Sequence, residues 1–303
     1  DAVKFQKRTI KRILTKEGLE APYNTPNSFG DNYGKHKEFL ELSFDQFIEL
    51  KSYADENDIM FTASGWDEES VDFLDSIDVP FFKMASADLT NFPLLEHTAK
   101  KKRPMIISTG MADFKTVQGA YKLVSKFNPN IAILQCTSSY PTLPEHINLN
   151  VIRLYQREFS QAVIGYSGHE TGTSISLGAV SLGAKIIERH FTLDRNMKGG
   201  DHKASLEEPE LTYLVREIRL LEMALGDGIK KVMPGEEKCF IKLSKSLVST
   251  RYIKSGEKIT RDMLTTKGPG KGISPMNIHR IIGKVANQDI NEDVVLYDNF
   301  FTL

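Results

Sequence analysis

Cysteine is scarce: the 303 residues hold only Cys136 and Cys239, too few for the disulfide framework of a small secreted domain and in keeping with a reducing, cytoplasmic setting. No apolar run approaches the roughly 18 residues that suggest a membrane-spanning helix, and no signal peptide is visible at the start. Neither sign of charge is in excess. With 39 Lys and Arg against 40 Asp and Glu, the net charge is -1, which leaves no electrostatic footprint for nucleic acid or a membrane surface. No G-x-G-x-x-G turn follows any apolar run, so the usual signal of an open nucleotide-binding sheet is missing. What is present, 40% hydrophobic and 26% charged residues, is ordinary for an enzyme with a sizeable core.

Short apolar runs alternate with helical patterns along most of the chain. The runs are Asp1–Gln6, Ile59–Ala63, Pro80–Lys83, Pro104–Ser108, Ala132–Gln135, Ala162–Tyr166 and Ala184–Arg189. Between them lie helices near 43–57, 68–76, 92–100, 113–127, 148–159 and 173–182, with another at 208–225 after the last strand; Ser43 or Asp45 is placed to cap the first. This alternation implies a parallel sheet with right-handed crossovers, and its length favours a (β/α)8 TIM barrel. A closed barrel uses eight strands and only seven are read here. The first begins at once, without an initiator Met, so the expectation is a barrel lacking its first β/α unit in this chain. Composition shifts near Gly226. The expected organisation is a barrel domain at 1–225, a linker at 226–244 and a small second domain at 245–303, with strands Ser246–Ser249 and Val294–Tyr297.

In such a barrel the chemistry sits at the C-terminal ends of the strands. The residues there are Lys4 and Gln6, Ser64, Lys83 with Ser86 and Asp88, Ser108 with Thr109, Ser138 and Tyr140, Ser167 and His169, and Glu188 with His190. Two lysines within a ring of hydroxyls make a site that neutralises and hydrogen-bonds a phosphate. Two histidines at the ends of successive strands can be aimed at one point, which suits a divalent metal. Glu188 precedes His190 by two and shares its face, whereas Arg189 points the other way; the plain alternative for Glu188 is an ion pair. Asp201, in the Gly199-Gly200-Asp201-His202 turn, either shapes that turn or accepts hydrogen bonds from a hydroxylated substrate. His36, His97, His146, His202 and His279 read as ordinary surface or core histidines, and Cys136 as a small buried hydrophobe.

At these residues the chain resembles the sialic acid synthases, which condense phosphoenolpyruvate with N-acetylmannosamine or its 6-phosphate. The resemblance is carried by Val3-Lys4-Phe5-Gln6, Phe61-Thr62-Ala63-Ser64-Gly65, Phe82-Lys83-Met84-Ala85-Ser86-Ala87-Asp88 with Asn91-Phe92-Pro93, Ile107-Ser108-Thr109-Gly110-Met111, Gln135-Cys136-Thr137-Ser138-Ser139-Tyr140-Pro141, Ile164-Gly165-Tyr166-Ser167-Gly168-His169 and Glu188-Arg189-His190-Phe191-Thr192. It implies manganese or magnesium held by His169 and His190. It further implies phosphoenolpyruvate bound by Lys4, Ser64, Lys83, Ser86, Ser108, Ser138 and Ser167, and an amino sugar bound by Gln6, Asp88, Tyr140 and Asp201. It also implies a small C-terminal domain of the antifreeze-like (SAF) type and a domain-swapped homodimer.

The chain departs from the family's pattern in lacking the first β/α unit with its acidic strand-end residue, and in carrying Lys267-Gly268-Pro269-Gly270 where bacterial members place an arginine. The segments Pro22-Tyr23, Tyr33-Gly34-Lys35-His36-Lys37 and Phe61-Thr62-Ala63-Ser64-Gly65 look more like the animal branch, whose members take the 6-phosphate. Two alternatives stay open: a metal-independent aldolase that forms a Schiff base at Lys83, and a non-catalytic chain that binds sugar phosphates or only dimerises.

Overall fold

A computed structural model describes residues 1–302. Leu303, the last residue of the expected small domain, lies outside the described residues. The chain divides into two compact units, Asp1–Gly226 and Asp227–Leu303.

In the first unit seven strands form one parallel sheet in sequence order: β1 Ala2–Lys7, β2 Met60–Gly65, β3 Phe82–Met84, β4 Met105–Ser108, β5 Ile131–Cys136, β6 Val163–Gly168 and β7 Ile187–Arg189. Each crossover carries a helix, and the helices begin where the sequence supplies side-chain caps. Ser43 accepts from the Gln46 amide while the Gln46 side chain accepts from the Ser43 amide, a reciprocal pair that starts helix Phe44–Glu56. Asp67, Asn91 and Asp113 do the same work singly for helices Glu68–Ser76, Phe92–Lys100 and Phe114–Val124.

Alternation along each strand separates packing from chemistry. Val3 and Phe5, Phe61 and Ala63, Phe82 and Met84, Met105 and Ile107, Ile131 and Ile133, Ile164 and Tyr166, and Ile187 join one core with Phe47, Leu74, Leu95, Val117 and Ile152 of the covering helices. The intervening residues face the other side: Lys4 and Gln6, Thr62 and Ser64, Lys83, Ser108, Cys136, Ser167 and Glu188. Lys4 Nζ on β1 reaches Glu188 Oε1 on β7 at 3.3 Å. First and last strands are therefore brought together on that inner side, and the sheet is curled like a TIM barrel.

The second unit pairs β8 Ser246–Ser249 with β9 Leu264–Lys267 in antiparallel register around a core that includes Leu247, Ile253, Ile259, Leu264, Ile281 and Leu296. Two readings need correction here. Val294–Tyr297 is not a continuous strand: it is tied to β8 by one bridge, Val248 to Val295, because the Ser249 hydroxyl also takes up the Val294 amide at 3.0 Å. The partner strand is instead Leu264–Lys267, whose two threonines and lysine hid it. The stretch 226–244 is also not all connector, since Glu237–Leu243 is helical.

Candidate functional site

The inner ends of the strands gather two lysines, one carboxylate and a set of hydroxyls. Lys83, 2% exposed, has its ammonium 3.5 Å from Glu188 Oε1 and donates to the Met84 carbonyl at 3.1 Å. Lys4 approaches the same carboxylate oxygen, and the Ser167 hydroxyl donates to it at 3.0 Å. Burial and the neighbouring Lys4 charge bring the Lys83 pKa down to about 8, against the pull of Glu188. Burial would raise the Glu188 carboxyl, but Lys83 and Lys4 hold it down at about 2. The trio thus carries two positive charges and one negative near neutral pH, a net attraction for an anion.

Two buried hydroxyls on the same inner side, Ser64 Oγ on β2 and Ser108 Oγ on β4, have no hydrogen-bond partner among the described residues. An unmet buried hydroxyl costs about 1–3 kcal/mol, a cost that a ligand's oxygens could offset. Ser86 and Ser138 complete the rim around Gly110. The Gly110 amide donates to Ser86 Oγ at 2.9 Å, and a Cβ on Gly110 would lie 2.2 Å from Ser138 Oγ and 2.9 Å from Ser86 Oγ. Only glycine lets these hydroxyls close in.

The histidines meet as their positions suggest. The rings of His169 and His190 are 5.2 Å apart between centroids, and the Tyr140 ring lies 4.2 Å from that of His169. His169 Nδ1 is 2.7 Å from the Thr137 carbonyl; a carbonyl only accepts, so Nδ1 carries the proton and Nε2 keeps its lone pair. Burial, with repulsion from Lys4 and His169, brings the His190 pKa down to about 4 despite Asp201, so this imidazole is neutral. For His169 burial acts downward too, but the Cys136 contact and the Thr137 carbonyl outweigh it. When His169 is deprotonated its Nε2 is free while Nδ1 is held by a backbone carbonyl, and beside the neutral His190 imidazole this makes a donor pair that fits a divalent metal. Among the described residues no third His, Cys, Asp or Glu completes a metal-holding cluster with them. Asp201 Oδ2 lies 3.6 Å from His190 Nδ1, and Cys136 Sγ 3.9 Å from His169 Nδ1.

At the edge of this group Asp88 is buried with Oδ1 accepting from Asn91 at 3.1 Å and Oδ2 unpartnered. Burial, helped by Asp67, raises its pKa. Burial likewise pushes the half-exposed Tyr140 hydroxyl up to about 12, so it stays protonated as a donor. Gln6 sits on β1 opposite Ser64 in the β1–β2 register.

The two family profiles that match the chain cover nearly all of it: the NeuB family at residues 1–230 and the SAF domain at residues 244–302. The chain belongs to the NeuB family. This NeuB family chain is 51% identical over 294 residues to the N-acetylneuraminate-9-phosphate synthases of Homo sapiens and Mus musculus, an alignment that spans 97% of the chain and 82% of each relative. Among solved structures, the N-acetylneuraminic acid synthetase of Leptospira borgpetersenii, crystallised with citrate, is similar with a TM-score of 0.68 at 31% identity over 78% of each chain.

Sequence reasoning missed the pair that braces the histidines in this NeuB family site. Glu170 follows His169 and Arg189 precedes His190; Arg189 Nη1 donates to Glu170 Oε1 at 3.0 Å, and both side chains are buried. The signal was two opposite charges, each adjacent to a candidate histidine. Arg189 does point away from Glu188, as alternation requires.

Proposed function

We propose that the chain condenses phosphoenolpyruvate with N-acetylmannosamine 6-phosphate and water to give N-acetylneuraminate 9-phosphate and inorganic phosphate. The observation that carries this reading is the joint presence of two lysines and unpartnered hydroxyls at the strand ends, beside a histidine pair, in a chain half identical to synthases of that product. Lys4 and Lys83, with Ser64, Ser86, Ser108, Ser138 and Ser167, bind phosphoenolpyruvate. Gln6, Asp88, Tyr140 and Asp201 bind the open-chain sugar. His169 and His190 hold manganese or magnesium, which when bound supplies a Lewis acid for the aldehyde oxygen.

The lysines fix the phosphate so that the terminal methylene carbon of the enol faces the aldehyde carbon; the double-bond pair forms the new carbon–carbon bond and the aldehyde oxygen takes up a proton. The adjacent oxygen-bearing carbon, the one that carries the phosphate, becomes an oxocarbenium centre. Glu188, ionised and too weakly basic to take up a proton readily, acts by its negative charge on that centre. Water then adds, and phosphate leaves by cleavage of its bond to carbon. The Tyr140 hydroxyl and the free Asp88 oxygen position the sugar's hydroxyls and amide.

The working unit in this reading is a cytoplasmic homodimer in which the SAF domain of one chain covers the strand ends of the other. Exchange of identical elements is a low-cost route to two-fold dimers, and a cover limits stray water during the oxocarbenium stage. Crosslinking of mixed heavy and light chains tests it: exclusively intrachain products defeat the exchange.

One observation favours a second reading. A buried lysine with its pKa brought down to about 8 is also how Schiff-base aldolases activate an amine. Mass spectrometry of the product and a phosphate-release assay with both substrates test the condensation. Borohydride trapping of an adduct at Lys83, with activity indifferent to chelator, would establish the aldolase instead.

A further inference from the structure

The loop after β7 carries more charge than the strand-end site uses. With the loop after β1 it walls a cleft of about 490 Å3, and the two loops are tied where the Gly199 amide donates to Asn27 Oδ1 at 3.3 Å. Arg195, Lys198 and Lys203 line the cleft, and no carboxylate does. Arg195 is already committed: its Nε donates to the Ser205 carbonyl at 3.0 Å and its guanidinium pairs with Glu210. Lys198 and Lys203 have no carboxylate partner among the described residues. Lys198 is steadied by the Phe29 ring, with its ammonium 4.9 Å from the centroid, a contact that positions the charge without neutralising it.

The same loop holds Asp201, whose carboxylate faces His190. Lys198 stands three residues before it and Lys203 two residues after it. Three residues of chain span at most about 10 Å, so the backbones of Lys198 and Lys203 stay within about that distance of Asp201, a span comparable to an open six-carbon chain with its phosphate. They are exposed loop residues, unlike the buried Lys83 of the strand-end site. That separates two anion positions, one at the strand ends and one in the loop cleft, as a reaction between two phosphorylated molecules requires.

We propose that this cleft takes the terminal phosphate of the acceptor sugar, with Lys198 and Lys203 as the residues that distinguish a phosphorylated from an unphosphorylated acceptor. The inference rests on the condensation reading above. An ammonium acts on phosphate as a mobile point charge, and exposure to water moderates its effect, so discrimination of tens-fold rather than thousands-fold is expected.

The test uses the full chain and the variants Lys198→Ala, Lys203→Ala and both together. Calorimetric titration with N-acetylmannosamine 6-phosphate and with N-acetylmannosamine reads the two affinities, and steady-state rates read KM for each sugar. In the double variant the phosphorylated sugar should bind at least tenfold more weakly, the unphosphorylated sugar should shift less than twofold, and Lys→Arg replacements should recover most of the loss. Equal weakening of both sugars, or undiminished binding of the phosphorylated one, overturns the proposal, as does a parent chain that binds neither sugar. A parent chain that binds the phosphorylated sugar but forms no product with phosphoenolpyruvate defeats the condensation reading; the cleft is then judged by the binding ratios alone.

Discussion

Arg189 and Glu170 form a buried ion pair, 3.0 Å between Nη1 and Oε1, that joins the residue before His190 to the residue after His169. Around it the Tyr166 hydroxyl donates to Glu170 Oε2 at 2.7 Å, the Ser176 hydroxyl donates to Glu170 Oε1, and Arg189 Nη1 donates to the Gly172 carbonyl, while Arg189 Nε has no partner among the described residues. The two strand ends that carry the imidazoles are therefore fixed to each other from behind. Removing one partner leaves an uncompensated buried charge, which costs about 3–5 kcal/mol. Arg189→Met should lower the melting temperature of the barrel unit by about 10 °C, since about 1 kcal/mol corresponds to about 2–4 °C at this size. Differential scanning calorimetry checks it, and a change under 2 °C would show the pair to be dispensable.

His169→Ala and His190→Ala should each abolish divalent-metal-dependent turnover and leave the far-ultraviolet circular dichroism unchanged. Each imidazole ends a strand instead of filling the helix-facing core, so a ligand is lost and packing is not. Manganese titration followed by electron paramagnetic resonance reads the loss directly. Retained stoichiometric binding in both variants would remove these residues from the metal site.

Lys4→Met and Lys83→Met keep most of the aliphatic stem and delete the charge. Phosphoenolpyruvate affinity should fall by roughly 1.5–3 kcal/mol for each, the scale of a hydrogen bond to a charged group. A dissociation constant within twofold of the parent would exclude that lysine from the phosphate site.

The pH dependence follows from Lys83. Its pKa lies below the ordinary lysine value, at about 8, and the form that attracts an anion is the protonated one. With Lys83 in the phosphate site, phosphoenolpyruvate affinity should be full below that value and decline as pH rises through about 8. Lys83→Arg, which stays charged throughout, should flatten the decline. A titration in which parent and variant share one alkaline limb would assign the proton elsewhere.

Gly110→Ala should impair both binding and stability, because the new methyl must enter the space between Ser86 and Ser138. Overpacking of this kind costs about 1–3 kcal/mol. KM for phosphoenolpyruvate should rise while KM for the sugar changes less; the reverse order would place these hydroxyls on the acceptor.

Much of this was legible in the sequence because strand alternation is a strict rule. Lys4, Lys83, Ser167 and Glu188 could be placed on one face by counting in twos, and the helix at 208–225 by its apolar spacing. What could not be read were relationships set by closure of the sheet. That Lys4 on the first strand and Lys83 on the third share Glu188 on the seventh depends on curvature, which no local pattern encodes. Glu170 was passed over because a carboxylate beside a histidine reads as a loop residue until its arginine is found nearly twenty positions later. In the second unit, Val294–Tyr297 has good strand composition yet only bridges, since a serine hydroxyl competes for its backbone.

The contact between Lys4 and Glu188 spans the seam of the curled sheet, where β1 and β7 share no ladder. An anion settling between Lys4 and Lys83 should consequently act as a fastener of that seam. Occupancy at a hundred times the dissociation constant adds about 2.7 kcal/mol to the folded state, so phosphoenolpyruvate should slow proteolytic nicking of β1 even with no sugar present.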